Sequence, residues 1–382
     1  MKFFLSFLQS SKNHPIPAYS FWEYYIKNGI EEAGYQWTEC AEVDWALGLV
    51  PQSEAERRQW KDDTWTKTVE WLKSNPADIF LSYLYPHQVD KSAIREIQKM
   101  GIPCVNFFCD NVREFTKAPT EFDVFDLNWV PEYKAIEFYK AAGYPYINLP
   151  MPMWIPPGNR TPHAETNKQI TFIGSKDIQR QLFFEAVVAQ SPQLPLNIYG
   201  SGWLESNTTN ASHANYSWNK KILFQWEYFN KYGVKAYLRK LQQRSYSPEL
   251  TPVLESKIHG SISFAAYNDL TATSMITVGI NRYPAYNYPL NKPNTYSRLR
   301  DIEAPMLGAC YLTEYTDGIE DLYDIETEIA IFKTAESFIE KVNELQADHK
   351  KRISLKLNGQ KRALSELSIP NTLKKILWAL NL

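Results

Sequence analysis

The sequence predicts an α/β protein built of two doubly wound domains. Three observations carry that expectation. Apolar strand-like runs alternate with helix-like runs up to about residue 150. A stretch at 150–162 then holds five prolines and no helical period. The same alternation restarts at residue 170. Strands alternating with helices at this spacing imply βαβ units and a parallel sheet. A chain of 382 residues also exceeds one ordinary core.

Residues 3–8 form the first apolar β-like run, followed by a polar loop. Residues 21–33 carry helical periodicity and end at Gly34; further helices are expected at 65–73 and at 91–100, before Gly101. Strands are expected at 78–84, 103–108 and 124–129, with a helix at 134–142. The proline stretch reads as a linker. Beyond it, strands are expected at 170–173, 196–199, 262–266, 309–313 and 328–332, and helices at 178–189, 232–244, 297–307 and 372–380. Phe338, Ile339, Val342 and Leu345 mark one more amphipathic helix. The polar, Asn-rich stretch 202–220 reads as a loop. These spans place one domain at 1–155, a second at 156–362, and at 363–382 a C-terminal helix that packs back on the first. There is no tandem repeat and no low-complexity tract.

The net charge of −2 gives no global field that would favour nucleic acid or an anionic membrane. Aromatics make up 14% of the chain, with 12 Trp and 24 Tyr. Most serve core packing, and stacking on sugars or bases is the alternative use. The aromatic run Tyr19, Phe21, Trp22, Tyr24 and Tyr25 fits packing against the sheet or an acceptor groove. Cys40, Cys104, Cys109 and Cys310 form no CxxC pair and read as reduced thiols of a cytoplasmic protein. Residues 1–8 are too short for a signal peptide and read as the first strand. No window approaches the ~20 apolar residues of a membrane span, which leaves peripheral membrane contact open. Asn207, Asn210 and Asn215 head N-x-Ser/Thr sequons and read as polar loop residues.

The most chemically informative stretch runs from Tyr296 to Tyr315. It opens with Arg298 and Arg300, carries Asp301 and Glu303, stops at Gly308, and leads into a strand. Unpaired N–H groups at a helix start, beside guanidiniums, suit a pyrophosphate. A carboxylate further along suits the hydroxyls of a ribose. The bland alternative is a solvated helix with ordinary Arg–carboxylate pairs. Gly308 lets the chain turn from helix into strand.

Doubly wound folds expose ligand-binding groups at the carboxyl ends of strands. His14 follows the first strand, His87 follows Leu84-Tyr-Pro, and Asp110 follows Phe107-Phe-Cys. Asp110, in the polar cluster 109–113, is the first choice for a general base. Its structural alternative is an Asx-turn or helix N-cap. His14 and His87 are otherwise structural or simply exposed imidazoles. No metal cage is visible: Asp123 and Asp126 are the nearest to a metal-binding pair, and on one strand their odd spacing would point them to opposite faces. Neither a Walker loop nor Ser/His/Asp triad spacing is present.

From about Ile170 onward the sequence resembles the glycosyltransferases of the two-Rossmann GT-B architecture, most of all the CgeB-like branch, named for a spore-coat maturation protein. The likeness rests on Phe172-Ile-Gly-Ser175 with Arg180 on the following helix, on Ile198-Tyr-Gly-Ser-Gly-Trp203, and on residues 297–315. Gly318-Ile-Glu-Asp-Leu322, Glu326-Thr-Glu328 and a helix from about Thr334 follow in family-like order. The resemblance implies two Rossmann-like domains facing across a cleft. It also implies transfer of a sugar from a nucleotide-sugar donor to a hydroxyl of a glycan, lipid-linked or protein acceptor, with no metal cofactor.

Position by position, the resemblance makes Glu303 the ribose carboxylate. Tyr296, Ser297, Arg298 and Leu299 become the segment whose amides face the diphosphate, with Arg298 and Arg300 adding charge. Arg180 would neutralise the departing phosphate. Gly174, Ser175 and Gly200 lie where backbone approaches the donor, and Tyr199 or Trp203 would pack on the base. Two positions depart from the pattern. Thr295 stands where many retaining relatives carry a Glu, and Ser175 where a second basic residue is usual. These departures leave donor sugar and stereochemistry open, and an inverting route needs a base that a retaining one does without. They also keep open an inactive scaffold that binds a sugar or nucleotide; a sugar-nucleotide epimerase, with acid/base carboxylates and His about a UDP-sugar, is a third reading.

Overall fold

The structure, a computed structural model, describes residues 1–10, 12, 14, 19–161, 167–204, 218–246, 248–283 and 288–382. The chain forms two compact units. The first comprises Met1–Pro156, Ser297–Glu303 and Arg362–Leu382; the second comprises Pro157–Tyr296 and Ala304–Lys361.

The first unit is built on strands β1 (Lys2–Ser6), β2 (Gln36–Thr38), β3 (Ile79–Ser82), β4 (Cys104–Phe107), β5 (Leu127–Trp129) and β6 (Tyr146–Ile147). They form one parallel sheet in the order β2-β1-β3-β4-β5-β6. β3 and β4 are buried at every position, the pattern of strands covered on both faces. From β1 the chain pairs β2 on one side and β3 on the other. The carboxyl ends of β1 and β3 therefore make a topological switch point, where doubly wound sheets bind ligands. The loops after these two strands carry His14 and His87.

The helix Glu54–Ser74 starts well before the expected 65–73. Its first turns are charged and exposed, so they carry no apolar period. The signal there is the capping box of Ser53 with Glu56. The strand expected at 124–129 is confined to Leu127–Trp129, behind a 3-10 turn at Thr120–Val124. The C-terminal helix Ile369–Ala379 lies on the helix Tyr19–Glu32. Gly29 makes room for it: a Cβ there would sit 2.4 Å from Ile369 Cγ2. The Ile369 amide also donates to the Met153 carbonyl at 3.1 Å.

The second unit holds β7 (Ile170–Ile173), β8 (Leu196–Tyr199), β9 (Ile276–Gly279), the antiparallel pair β10 (Arg282–Tyr283) and β11 (Asn294–Thr295), β12 (Tyr311–Glu314) and β13 (Ala330–Phe332). Its main sheet is parallel, in the order β13-β12-β9-β7-β8, with the switch point at the ends of β7 and β9. Aromatic residues close its core, with Phe183 stacked on Phe332 at 5.2 Å.

Residues expected as a strand at 262–266 instead open the helix Phe264–Thr273, whose N-cap hydroxyl, Ser263 Oγ, accepts the Ala266 amide at 3.2 Å. The strand itself is β9, at the centre of the sheet. The expected 297–307 helix runs only over Arg300–Met306. Gly308 (φ +73°) turns the chain out of it, and Gln360 Nε2 caps the Met306 carbonyl at 2.9 Å. The helix Trp218–Ser245 is longer than the expected 232–244 and is interrupted at Gly233 (φ 79°, ψ 176°). The helix His349–Glu366 was not foreseen. The three sequons lie outside the described residues.

Candidate active site

In the second unit the ends of β7 and β8 meet without room for side chains. A Cβ on Gly200 (φ +138°) would lie 2.3 Å from the Gly174 carbonyl oxygen. A Cβ on Gly174 would meet the Phe172 ring at 2.7 Å. Asp177 caps the helix Ile178–Gln190 by accepting the amides of Gln179 and Arg180, each at 2.9 Å. That cap holds Arg180 back over the turn. Its Nη1 donates to the Ser175 carbonyl at 2.7 Å and its Nε lies 3.1 Å from Asp177 Oδ2. Gly174, Ser175, Arg180 and Gly200 thus come together at one strand end. Two of the expected aromatic contacts take another form. Tyr199 stacks on His259 at 4.7 Å. Trp203 is buried in the core and donates its indole N–H to the Gly174 carbonyl at 2.8 Å, so it fixes the turn.

Three residues that the sequence reading missed stand beside Arg180. At the end of β12, buried Glu314 accepts a hydrogen bond from Arg282 Nε at 2.7 Å. Arg282 also donates to the Gln179 carbonyl at 3.3 Å and lies over the Phe183 ring. Burial pushes the Glu314 carboxyl up, while Arg282 and, more weakly, Arg180 pull it back. Glu314 Oε2 and both amide atoms of Gln179 are buried without a hydrogen-bond partner.

The segment Ser297–Glu303 belongs to the first unit. Asp301 Oδ2 accepts both the Ser297 hydroxyl (2.9 Å) and the Arg298 amide (3.0 Å). This internal cap engages the Arg298 N–H and starts the helix at Arg300, three residues later than expected. The Leu299 carbonyl accepts the amides of Ile302 and Glu303, each at 3.0 Å. Glu303 is buried and accepts the Tyr25 hydroxyl at 3.0 Å. Tyr296, also buried, lies in the second unit, where its amide donates to the Asn281 carbonyl at 3.1 Å.

At the β1 end of the first unit, His14 Nε2 lies 2.8 Å from Asp44 Oδ2. Asp44 is itself held, because its Oδ1 accepts the Leu47 amide at 2.9 Å. At the end of β1, Gln9 bridges the Phe7 amide and the Leu5 carbonyl, and the Trp45 amide donates to the Gln9 carbonyl. Leu8, at φ 60°, carries a left-handed conformation that non-glycine residues seldom adopt. Asp44 is a partner that the sequence reading did not name. His87 Nε2 instead lies 3.0 Å from the Gly48 carbonyl, and burial lowers its pKa. That contact gives His87 a structural tie.

Asp110 lies three residues beyond β4, and its side chain makes no capping bond to the short helix Asn111–Glu114; its Oδ1 is 3.9 Å from Arg113. Around it lie Tyr83, whose hydroxyl is 3.5 Å from Cys109 Sγ, and Glu132. Burial pushes the Cys109 thiol up while the Arg298 charge pulls it down, so Arg298 and the Asp110 strand end share one electrostatic neighbourhood. Glu132 is fully buried, accepts the Val112 amide at 3.3 Å, and is raised to about 8 by burial and then by Asp110. Its stabilising contribution is therefore full below its ordinary value of 4.5 and is lost as pH rises to about 8. Glu132→Gln should flatten this decline, raising the unfolding midpoint relative to wild type at pH 8 but not at pH 4. Parallel pH–stability curves for the two proteins would contradict the assignment.

Among the described residues, no three His, Cys, Asp or Glu side chains gather as a metal cage. Asp123 pairs with Lys91, and Asp126 accepts the Cys104 amide at 2.7 Å. All four cysteines are free and buried.

Two parallel doubly wound units, each with a switch point at its strand ends, have the fold of the GT-B glycosyltransferases. The chain shares that fold with sucrose-phosphate synthase from Thermosynechococcus elongatus, at a TM-score of 0.53 and 13% identity over 99% of this chain and 98% of that one. It also shares it with a glycosyltransferase from Rickettsia africae (TM-score 0.58, 9% identity, 99% and 97% covered). A further likeness is to Anabaena HepE, solved with UDP and with UDP-glucose (TM-score 0.55, 12% identity, 100% and 99% covered). Residues 179–377 match the glycosyl transferase-like family, and the chain belongs to that family. No curated protein matches the sequence.

Proposed function

We propose that the protein is a nucleotide-sugar-dependent hexosyltransferase with His14 as its general base. The family match over residues 179–377 carries the reaction class. In this reading the acceptor hydroxyl oxygen attacks the anomeric carbon, the bond from that carbon to the nucleoside diphosphate breaks, and the hydroxyl proton passes to His14. Asp44 orients the imidazole, as a carboxylate does beside a catalytic histidine. A held base of this kind favours the inverting route.

The departing diphosphate gains negative charge as the bond breaks. Arg180, held at the Gly174–Gly200 turn, supplies fixed positive charge for it, which makes a metal unnecessary. UDP is the first nucleotide to test, since HepE binds it. Glu303 takes the ribose, its second oxygen oriented by the Tyr25 hydroxyl on the first. The acceptor is a hydroxyl of a glycan, lipid-linked sugar or protein.

The test is nucleotide release from UDP-, GDP-, dTDP- and CMP-sugars, with and without chelator. Release from one donor, unchanged by chelator, is the expected result. Tight nucleotide binding with no release from any donor would replace the enzyme by a binding scaffold, the alternative that Thr295 and Ser175 keep open. Glu303→Ala should weaken nucleotide binding by about 1–3 kcal/mol through loss of a charge-assisted hydrogen bond, measured by calorimetry with UDP. Unchanged affinity in the folded variant would take Glu303 out of the nucleotide site.

A further inference from the structure

We propose that the helix Trp218–Ser245 of the second unit is a docking surface for an anionic lipid bilayer. Its two segments each present an apolar row. Ile222 and Trp226 are one helical turn apart, and the Trp226 ring stacks on Phe229 at 5.8 Å. After Gly233 the row is Val234, Leu238 and Leu241. Spacings of i, i+4 and i+7 put each row on a single face. Such a face is normally buried, yet Ile222, Trp226, Val234, Leu238 and Leu241 are all between 48 and 61% exposed.

The bend at Gly233 explains why the rows point outward. Lys240 Nζ lies 4.0 Å from the Tyr228 ring centroid, and the Phe229 and Tyr237 rings are 5.9 Å apart. Twelve residues of unbroken helix would separate positions 228 and 240 by about 18 Å, more than these side chains bridge. The segments therefore turn back on each other through their aromatic sides. Ala236 is buried, whereas Ile222, Trp226, Val234, Leu238 and Leu241 stay exposed.

Charge identifies the occupant. The chain as a whole carries −2, but this helix holds seven Lys or Arg residues and one Glu. Exposed apolar rows flanked by cations, with a tryptophan among them, are the make-up of a helix lying in a headgroup layer. A second copy of the chain would set this positive charge against itself, which complementary interfaces avoid. Beside the second segment opens a groove of about 490 Å³, lined by Arg239, Gln242, Gln243, Tyr246, Leu290 and Asn291. A guanidinium, amides and a phenol suit a phosphate diester headgroup. Among the described residues no helix is long and apolar enough to cross a membrane, so the contact is peripheral. It rests on no assignment of the reaction.

The test uses the full chain with vesicles of phosphatidylcholine and phosphatidylglycerol in equal parts, and with phosphatidylcholine alone. Co-sedimentation should be at least about tenfold stronger with the mixed vesicles and should fall steeply with added salt. The double substitution Leu238→Glu and Leu241→Glu lies on exposed positions. It should abolish binding while circular dichroism and UDP affinity stay unchanged. Lipids brominated on their acyl chains should quench wild-type fluorescence more than that of Trp226→Phe, an independent readout should the double variant misfold. Equal binding to both vesicle types, no binding to either, or quenching that ignores Trp226 would overturn the proposal. So would a wild-type dimer that the double substitution turns into a monomer, because the face would then belong to a second copy.

Discussion

Replacing His14 by alanine should lower sugar transfer by about 10²–10⁴-fold, the usual contribution of a positioned general base. Donor affinity should be unchanged, because the residue acts on the acceptor proton. Asp44→Asn should also slow turnover, since the imidazole loses the carboxylate that faces it at 2.8 Å. Asp110→Asn provides the contrast. Asp110 was the first choice from sequence, and its carboxylate stands at a strand end beside buried Glu132. A near-normal rate in Asp110→Asn with a large loss in His14→Ala would place the base at His14. The reverse result would move it to Asp110.

Arg282→Ala should cost about 3–5 kcal/mol of stability, the typical penalty for stripping one partner from a buried ion pair. The cause is Glu314, which would be left buried with an uncompensated charge. Burial already holds its carboxyl above the ordinary value of 4.5, and losing Arg282 would raise it further. A raised folded pKa means the loss is smallest below that ordinary value, where Glu314 is protonated in both folded and unfolded chains. The loss grows as pH rises. Denaturant midpoints at pH 4 and pH 8 measure the difference, and pairing the change with Glu314→Gln should recover most of it at pH 8. An equal loss at both pH values would show that Arg282 stabilises through packing on Phe183 rather than through charge.

Much of the architecture was legible because parallel strands covered on both faces are near-continuous apolar runs. Residues 79–82, 104–107 and 170–173 are of this kind, and each was found; the edge strand 196–199, buried at alternate positions, was found as well. β9 was overlooked although Ile276-Thr-Val is β-branched. The nearby 262–266 run claimed the strand instead, and only the Ser263 cap marks that run as a helix start. The helix at Glu54 was clipped because its first turns face solvent and lack a period.

At the site, glycines and arginines near strand ends were visible as types in a pattern. Their partners were not. Asp44 lies far from His14 in sequence, and nothing local distinguishes it from other acidic residues. Likewise Arg282 and Glu314 meet only because β12 pairs beside β9. The shortened helix at Arg300 follows from Asp301 turning its carboxylate onto Arg298, a choice that the sequence Arg-Leu-Arg-Asp leaves undecided.

The return of the last residues to the first unit bears on how the chain is made. Synthesis runs from the N-terminus, and domains generally fold as they emerge. Here the unit that is begun first is finished last, since Arg362–Leu382 belongs to it. Until Ile369 reaches the groove at Gly29, one face of the helix Tyr19–Glu32 lacks its cover. The second unit, complete by Lys361, is then free to fold while the first still waits on the ribosome. Removing Arg362–Leu382 should therefore damage the first unit and spare the second.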